Sequence, residues 1–249
     1  MNVIVCVKRV PDTETRIRID GSGDKIDPAG VKFIISPYDE FAVEAGLRAK
    51  EAAGDGSVHL VSFGDAATQE TLRSGLAMGA DSAMLLVGEP TIDGLATAKV
   101  LAAELEGADA PLLLFGVKAA DDDQQQVGPM VATMLGRPCV TGVSSFEVAD
   151  GKVVCQREVE GGTEVVEVDL PAALTITKGA YEPRYASLKG IMAAKKKPLE
   201  QKEAAAAEAR LRVGRLVEPA PRSAGRVVGE GADAVPELVR LLREEANAL

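Results

Sequence analysis

A chain of 249 residues with 46 % apolar and 27 % charged residues has room for one large domain, or a domain with an appended arm, and has the balance of a soluble globular protein. Aromatic residues make up 3 % and Trp is absent, so the core has to be built from Val, Leu, Ala and Ile. A formal net charge of -10 excludes general nucleic-acid binding, which needs a basic face to neutralise phosphates.

Short β-branched runs alternate with longer Ala- and Leu-rich stretches over the first 140 residues. Near-continuous apolar character predicts strands at 3–7, 58–62, 83–87 and 112–115, each covered on both faces as in a parallel sheet. Amphipathic spacing predicts helices at 38–53, 66–78, 91–105 and 123–135. This alternation implies a doubly wound, mostly parallel α/β sheet of Rossmann-like type. Ser36, Pro37 and Asp39 open the first helix with a cap-type residue, a Pro in the first turn and an acid at its third position, a variant of the capping box. DGSGDK, from Asp20, follows alternating TRIRID and reads as a hairpin turn.

Past Gly136 the pattern becomes period two, broken at Asp150-Gly151 and Gly161-Gly162, which predicts two hairpin turns and then a strand at 172–177, all in an antiparallel region. The stretch KGAYEPRYASLKGIMAAKKKPLEQ, from Lys178, holds Gly179, Pro183, Gly190 and Pro198 with irregular apolar spacing, and reads as an ordered loop or an arm. LEQKEAAAAEARLR predicts a helix with almost no apolar face. A Pro-, Gly- and Arg-rich linker at 218–231 leads to a final amphipathic helix at 235–249 bearing Leu238, Leu241, Leu242 and Leu249. The expected organisation is an α/β nucleotide-binding domain at 1–197 and an arm at 198–249. Charge follows it: from Lys178 to Arg226 twelve Lys and Arg face five acids, so an acidic body carries a basic C-terminal third.

Cys6, Cys139 and Cys155 are odd in number and widely spaced, which disfavours a disulfide framework or zinc site and fits a reducing, cytoplasmic setting. The apolar start MNVIVCV is too short for a secretory core, and no segment approaches the ~18 apolar residues that span a bilayer. His59, the only histidine, lies inside an apolar run and reads as a strand residue rather than a general base. GxSxG, HExxH, GxxxxGK[ST] and GxGxxG are all absent.

Asp121, Asp122 and Asp123 follow the strand at 112–115 and precede Gln124, Gln125 and Gln126. Three readings stay open on the residues alone. Adjacent carboxylates diverge and make a poor metal site; acids at a helix N-terminus complement its dipole; and in an open parallel sheet ligands bind outside the strands' carboxyl ends, where helix N-termini present unpaired N–H groups.

Five stretches carry a resemblance to a known family: VIVCVKRVPDT, ISPYDEFAVEAGLRAKE, QETLRSGLAMGAD, AADDDQQQVGPMVATMLG and above all YEPRYASLKGIMAAKKK. Together they resemble the β subunit of electron-transfer flavoproteins, in order and at the expected spacing, from the first strand to about Lys197. The resemblance implies a heterodimer in which an α subunit holds most of a redox FAD and β supplies one wall of its pocket, together with a structural AMP inside β. By position it assigns cofactor binding to Cys6, Ser36, Pro37, Tyr38, Asp39, Phe63, Lys118, Ala119, Ala120, Asp121, Asp122, Asp123, Gln124, Gln125, Gln126, Val127, Gly128 and Pro129, with Tyr38 near the flavin ring. It assigns docking of partner dehydrogenases to the loop 181–197 through Glu182, Pro183, Arg184, Tyr185, Leu188, Ile191 and Met192, with Leu188 as apolar anchor. It implies an electron carrier without catalytic residues of its own, taking electrons from acyl-CoA dehydrogenase-type flavoproteins in fatty acid oxidation and passing them to a quinone reductase. Two alternatives are a bifurcating form, in which a second FAD replaces AMP, and, outside the family, a stand-alone adenine-nucleotide sensor or hydrolase.

Overall fold

A computed structural model describes residues 1–221 and 224–249; Arg222 and Ser223, inside the linker expected at 218–231, lie outside the described residues. The chain forms two compact units, Met1–Arg215 and Leu216–Leu249.

The first unit is built on a nine-stranded sheet. In chain order its strands are β1 (Val3–Cys6), β4 (Val58–Gly64), β5 (Ser82–Val87), β6 (Leu112–Gly116), β7 (Cys139–Ala149), β8 (Lys152–Val159), β9 (Gly162–Asp169), β10 (Ala172–Ile176) and β11 (Leu199–Glu203), while β2 (Arg9–Pro11) and β3 (Phe33–Ile35) form a separate antiparallel pair. The helices are α1 (Pro37–Ala53), α2 (Thr68–Met78), α3 (Gly94–Leu105), α4 (Val127–Met134) and α5 (Leu188–Ala194). The sheet order is β11-β5-β4-β1-β6-β10-β7-β8-β9, parallel from β11 to β7 and antiparallel from β7 to β9. The chain winds outward from β1 through β4 to β5, then crosses to β6 on the other side of β1. That reversal makes the carboxyl ends of β1 and β6 the topological switch point.

The alternation of side chains along each strand divides the core in two. Val3, Val5, Leu112, Leu114, Leu174 and Ile176 face one layer; Ile4, Cys6, Leu113, Phe115 and Ala173 face the other. Helices α1 and α2 cover the first layer and α3 and α4 the second. Ile19 and Ile26 pair across the turn of DGSGDK, whose Asp20 carboxylate accepts the N–H groups of Ser22 and Gly23, so the hairpin reading of that stretch holds.

Four expectations need correction. The strand at 172–177 does not join the antiparallel region: β10 lies between β6 and β7, parallel to both, because its alternating Ala, Leu and Ile residues are buried on both faces. Residues 199–203 are the edge strand β11 and not a helix, since β5 offers a free ladder of N–H and C=O groups whose pairing overrides the helix propensity of LEQKE. The segment after β11 is not helical either; the Asp93 carboxylate accepts the N–H groups of Arg210 and Leu211, at 2.6 and 3.0 Å. Within the stretch from Lys178, read as a loop or arm, Ser187 caps the short helix α5 by accepting the N–H of Gly190 at 3.0 Å.

Among the described residues of the second unit, a 3-10 turn at Ala232–Ala234 leads into α6 (Val235–Glu244). Pro236 stands in the first turn of α6, and the Arg240 guanidinium bridges Glu237 and Glu244. The helix ends five residues before the expected Leu249. No helix among the described residues is long and apolar enough to cross a membrane.

Leu114 lies at the centre of the sheet with no exposed surface. Leu114→Ala is expected to cost about 2–5 kcal/mol in urea unfolding; a loss below about 1 kcal/mol would mean that the layer between α1 and the sheet is not close-packed.

Candidate functional site

At the switch point the carboxyl ends of β1, β4 and β6, the Thr175 side of β10, the loop before α3 and the loop between β6 and α4 enclose a cleft of about 120 Å³. One carboxyl holds its rim together. Asp39, in the first turn of α1, accepts the backbone N–H of Lys8 at 2.7 Å and of Gly116 at 2.9 Å, joining the chain just past β1 to the end of β6. Position 116 must be glycine for this approach: a Cβ there would stand 2.3 Å from Asp39 Oδ1 and 2.8 Å from the α1 backbone. Burial pushes the Asp39 carboxyl up to about 7, although the two N–H donors and the nearby Lys8 ammonium act in the opposite direction.

The capping box expected at Ser36 is therefore not formed. Ser36 Oγ makes no cap bond and accepts the N–H of Ala120 at 3.2 Å, so both polar side chains at the start of α1 hold distant loops. The aspartates are used in the same way. Lys8 Nζ reaches Asp121 at 2.8 Å and Asp122 at 2.7 Å, while Lys118 Nζ reaches Asp123 at 2.8 Å and lies 5.7 Å from the Tyr38 ring centroid. Burial works against the Lys8 ammonium, yet its two carboxylate partners outweigh it and hold the amine above its ordinary value. The acids do not cap a helix, because α4 begins only at Val127 and not at the expected position 123.

Between these ion pairs and α4 the backbone takes left-handed values at two non-glycine residues, Asp123 (φ 51°) and Gln125 (φ 56°), a conformation that costs energy unless the surroundings fix it. Gln124 does part of that fixing: its Nε2 donates to the Ile92 carbonyl at 2.9 Å, tying this loop to the one before α3, and its Oε1 accepts from Gln126 Nε2. The first turn of α4 then opens with the N–H groups of Val127 and Gly128, which have no partner inside the helix, and Pro129 has no N–H to leave unpaired.

Of the residues singled out from the sequence, Cys6, Asp39, Phe63, Lys118, Ala119, Asp122, Gln124, Gln125, Gln126, Val127, Gly128 and Pro129 line this one cleft. Burial raises the Cys6 thiol well above its ordinary value, so this cysteine is a neutral wall group. Ser36, Ala120, Asp121 and Asp123 support the rim from behind through the bonds above. Pro37 faces away and lines a second cleft under α5, and Tyr38 packs beside Phe41 with ring centroids 6.4 Å apart. Sequence reasoning missed Thr91 and Ile92 of the loop after β5 and Gly94 and Thr97 of the first turn of α3, which complete the wall. The strand-end rule applied to β5 would have found them. His59 is a strand residue, as expected, with Nδ1 2.8 Å from Ser82 Oγ.

The docking candidates form a second locality. Tyr185 is 99 % exposed, Leu188 82 % and Met192 72 %, with Ile191 partly so, and Leu188, Ile191 and Met192 share one face of α5. Glu182 is exposed and Pro183 half-buried beside them. Arg184 points inward instead: it is ion-paired to Glu44 and Glu51 of α1 at 2.7 and 2.8 Å.

Because the folded-state value of Asp39 lies above the ordinary carboxyl value of 3.8, an unfolded chain releases a proton between about pH 4 and 7 that the folded chain keeps. The stability contributed by this group is full below that window and falls as pH rises through it. Wild-type stability minus that of Asp39→Asn is expected to decrease from pH 4 to 7 in urea unfolding, and a difference independent of pH would refute the burial argument. In Asp39→Ala, two buried N–H groups lose their acceptor at about 1–3 kcal/mol each.

The chain was compared with known proteins. A family profile described as the electron transfer flavoprotein domain matches residues 25–207. Similar proteins include "Electron transfer flavoprotein subunit beta" of Bradyrhizobium diazoefficiens, 43 % identical with both chains covered in full, and the protein of that name from Bacillus subtilis, 37 % identical with the same full coverage. "Probable electron transfer flavoprotein subunit beta" of Saccharomyces cerevisiae is 36 % identical over 98 % of this chain and 96 % of its own. A mostly parallel sheet with a cleft at its switch point, matched from end to end by these relatives, places the chain in the electron transfer flavoprotein family as a β subunit.

Proposed function

We propose that this chain pairs with an α subunit as an electron-carrying heterodimer, with a redox FAD at the shared interface and one AMP in the cleft at the β1/β6 switch point. The cleft carries the reading of the second ligand. It is walled by apolar Phe63, Val61 and Leu101 on the sheet and α3 side, and it ends at the N–H groups of Val127 and Gly128, which have no partner inside α4. A phosphate suits such a helix start, where backbone donors and the helix dipole act together. An adenine ring suits the apolar part. Nothing in the wall resembles a nucleophile with its base, which supports a structural role for the nucleotide over turnover.

FAD, when bound, supplies the redox chemistry. The chain contributes position: the Tyr38 ring beside the Lys118 ammonium at the start of α1 is the group offered to the flavin, and the exposed face of α5 is the group offered to electron donors. Those donors are flavin dehydrogenases of the acyl-CoA type, the acceptor is a quinone reductase, and the setting is the cytoplasm.

Denaturing mass spectrometry of the co-expressed, purified heterodimer is expected to give one FAD and one AMP. Two FAD would replace this reading by the bifurcating form, and a colourless chain that does not bind α would end it. Leu188→Ala is expected to raise the dehydrogenase's KM for the heterodimer about tenfold or more, the scale of a small interface hot spot, with flavin content unchanged.

A further inference from the structure

An exposed seven-residue helix whose apolar side chains face outward has little of its own to hold it. α5 buries only Ala194. It is held instead by contacts behind it, at both ends. On the N-terminal side the Arg184 guanidinium donates to Glu44 at 2.7 and 3.0 Å and to Glu51 at 2.8 and 3.3 Å, and the Arg184 backbone N–H also reaches Glu44. The Glu44 side chain is fully buried, so it is a fixed acceptor already oriented by Arg48 at 2.6 Å. On the C-terminal side the Arg73 guanidinium of α2 takes the carbonyls of Ala194 and Lys197 at 2.6 and 2.7 Å. Between the two ends Gly190 lies against α2 so closely that a Cβ would stand 2.6 Å from the Ala77 carbonyl oxygen.

None of these groups touches the outward face, yet each fixes where that face is. From this we infer that Arg184, seated on Glu44 and Glu51, is a positioning residue that presents Leu188, Ile191 and Met192 as a ridge already formed before a partner arrives. The inference rests on the reading of α5 as the dehydrogenase-docking element. The occupant it fits is an apolar socket with an acidic rim on the electron-donating flavoprotein, because Lys189, Lys195 and Lys196 flank the ridge. Pre-formation matters because an element that is only partly populated in its binding geometry loses affinity in proportion to that population. Arginine suits this position because its planar fork makes paired hydrogen bonds to each of two carboxylates in a fixed geometry, which a lysine ammonium does not.

The test uses the intact heterodimer with a purified flavoprotein dehydrogenase and compares Arg184→Ala, Leu188→Ala and the double variant, with hydrogen exchange of the amides of 185–192 as a readout independent of activity. Arg184→Ala is expected to raise KM for the heterodimer about tenfold, corresponding to an ordered fraction reduced to about a tenth, without changing kcat or flavin content. The same amides are expected to exchange faster. In the Leu188→Ala background it is expected to raise KM by a similar factor, since it lowers the ordered fraction whereas Leu188 sets the affinity of the ordered ridge. Wild-type KM in Arg184→Ala, or a raised KM with unchanged exchange of the amides of 185–192, would overturn the positioning role while leaving the docking reading intact. Wild-type KM in Leu188→Ala would overturn the docking reading and this inference with it. If Arg184→Ala does not assemble, Glu51→Gln takes its place: it leaves the buried Glu44 paired, and a smaller rise in KM with faster exchange at 185–192 supports the role, whereas wild-type values of both overturn it.

Discussion

The carboxyl of Asp39 is where three separate parts of the chain become one site. A doubly wound sheet delivers β1 and β6 side by side, but it does not by itself decide how the loops leaving them are arranged. Asp39 decides it, by taking one backbone N–H from each side of the switch point. The cost is a buried acid whose ionisation burial opposes, and the gain is that two loops and the start of α1 move as a unit. Lys8 extends the unit, since its backbone is held by Asp39 and its ammonium holds Asp121 and Asp122. The cluster that looks in sequence like a possible cation site is thus already neutralised by the protein's own lysines, and among the described residues no group of three or more metal-ligating side chains comes together.

The parallel sheet was legible because burial on both faces leaves a mark in composition: VIVCV and LLLF have nowhere to be but inside. Helices α1 to α3 and the two hairpin turns were legible for the complementary reason, that solvent on one side enforces a period. The failures fall where tertiary contacts reverse the local signal. α5 turns its apolar residues outward, so its spacing points away from the core instead of toward it, and the contact that fixes Gly190 comes from Ala77, far away in sequence. β11 is written in helix-forming residues and becomes a strand because β5 has an open edge. Ser36 and Asp39 look like a cap and serve as clasps, with partners 84, 31 and 77 residues distant in the chain. No window of sequence contains both halves of such a bond.

The cleft shows the same division. Cys6, Phe63 and the run from Lys118 to Pro129 follow from strand ends and from resemblance, whereas Thr91, Ile92, Gly94 and Thr97 carry no motif. Gly94 lies against the Gln126 side chain, whose Nε2 would stand 2.6 Å from a Cβ there, a contact visible only once the start of α3 and the loop before α4 are brought together.

Helix α1 belongs to both localities. Its first turn clasps the cleft through Asp39, and its later turns carry Glu44 and Glu51, on which Arg184 sits. From Asp39 to Glu51 is about 18 Å along a helix rising ~1.5 Å per residue, and an α-helix packed against a sheet neither stretches nor bends appreciably. The helix therefore acts as a ruler. A shift of the helix along its axis would disturb the clasp at the cleft and the seat of Arg184 together, so the two localities stand at one fixed spacing, graduated in a single rigid element of the fold.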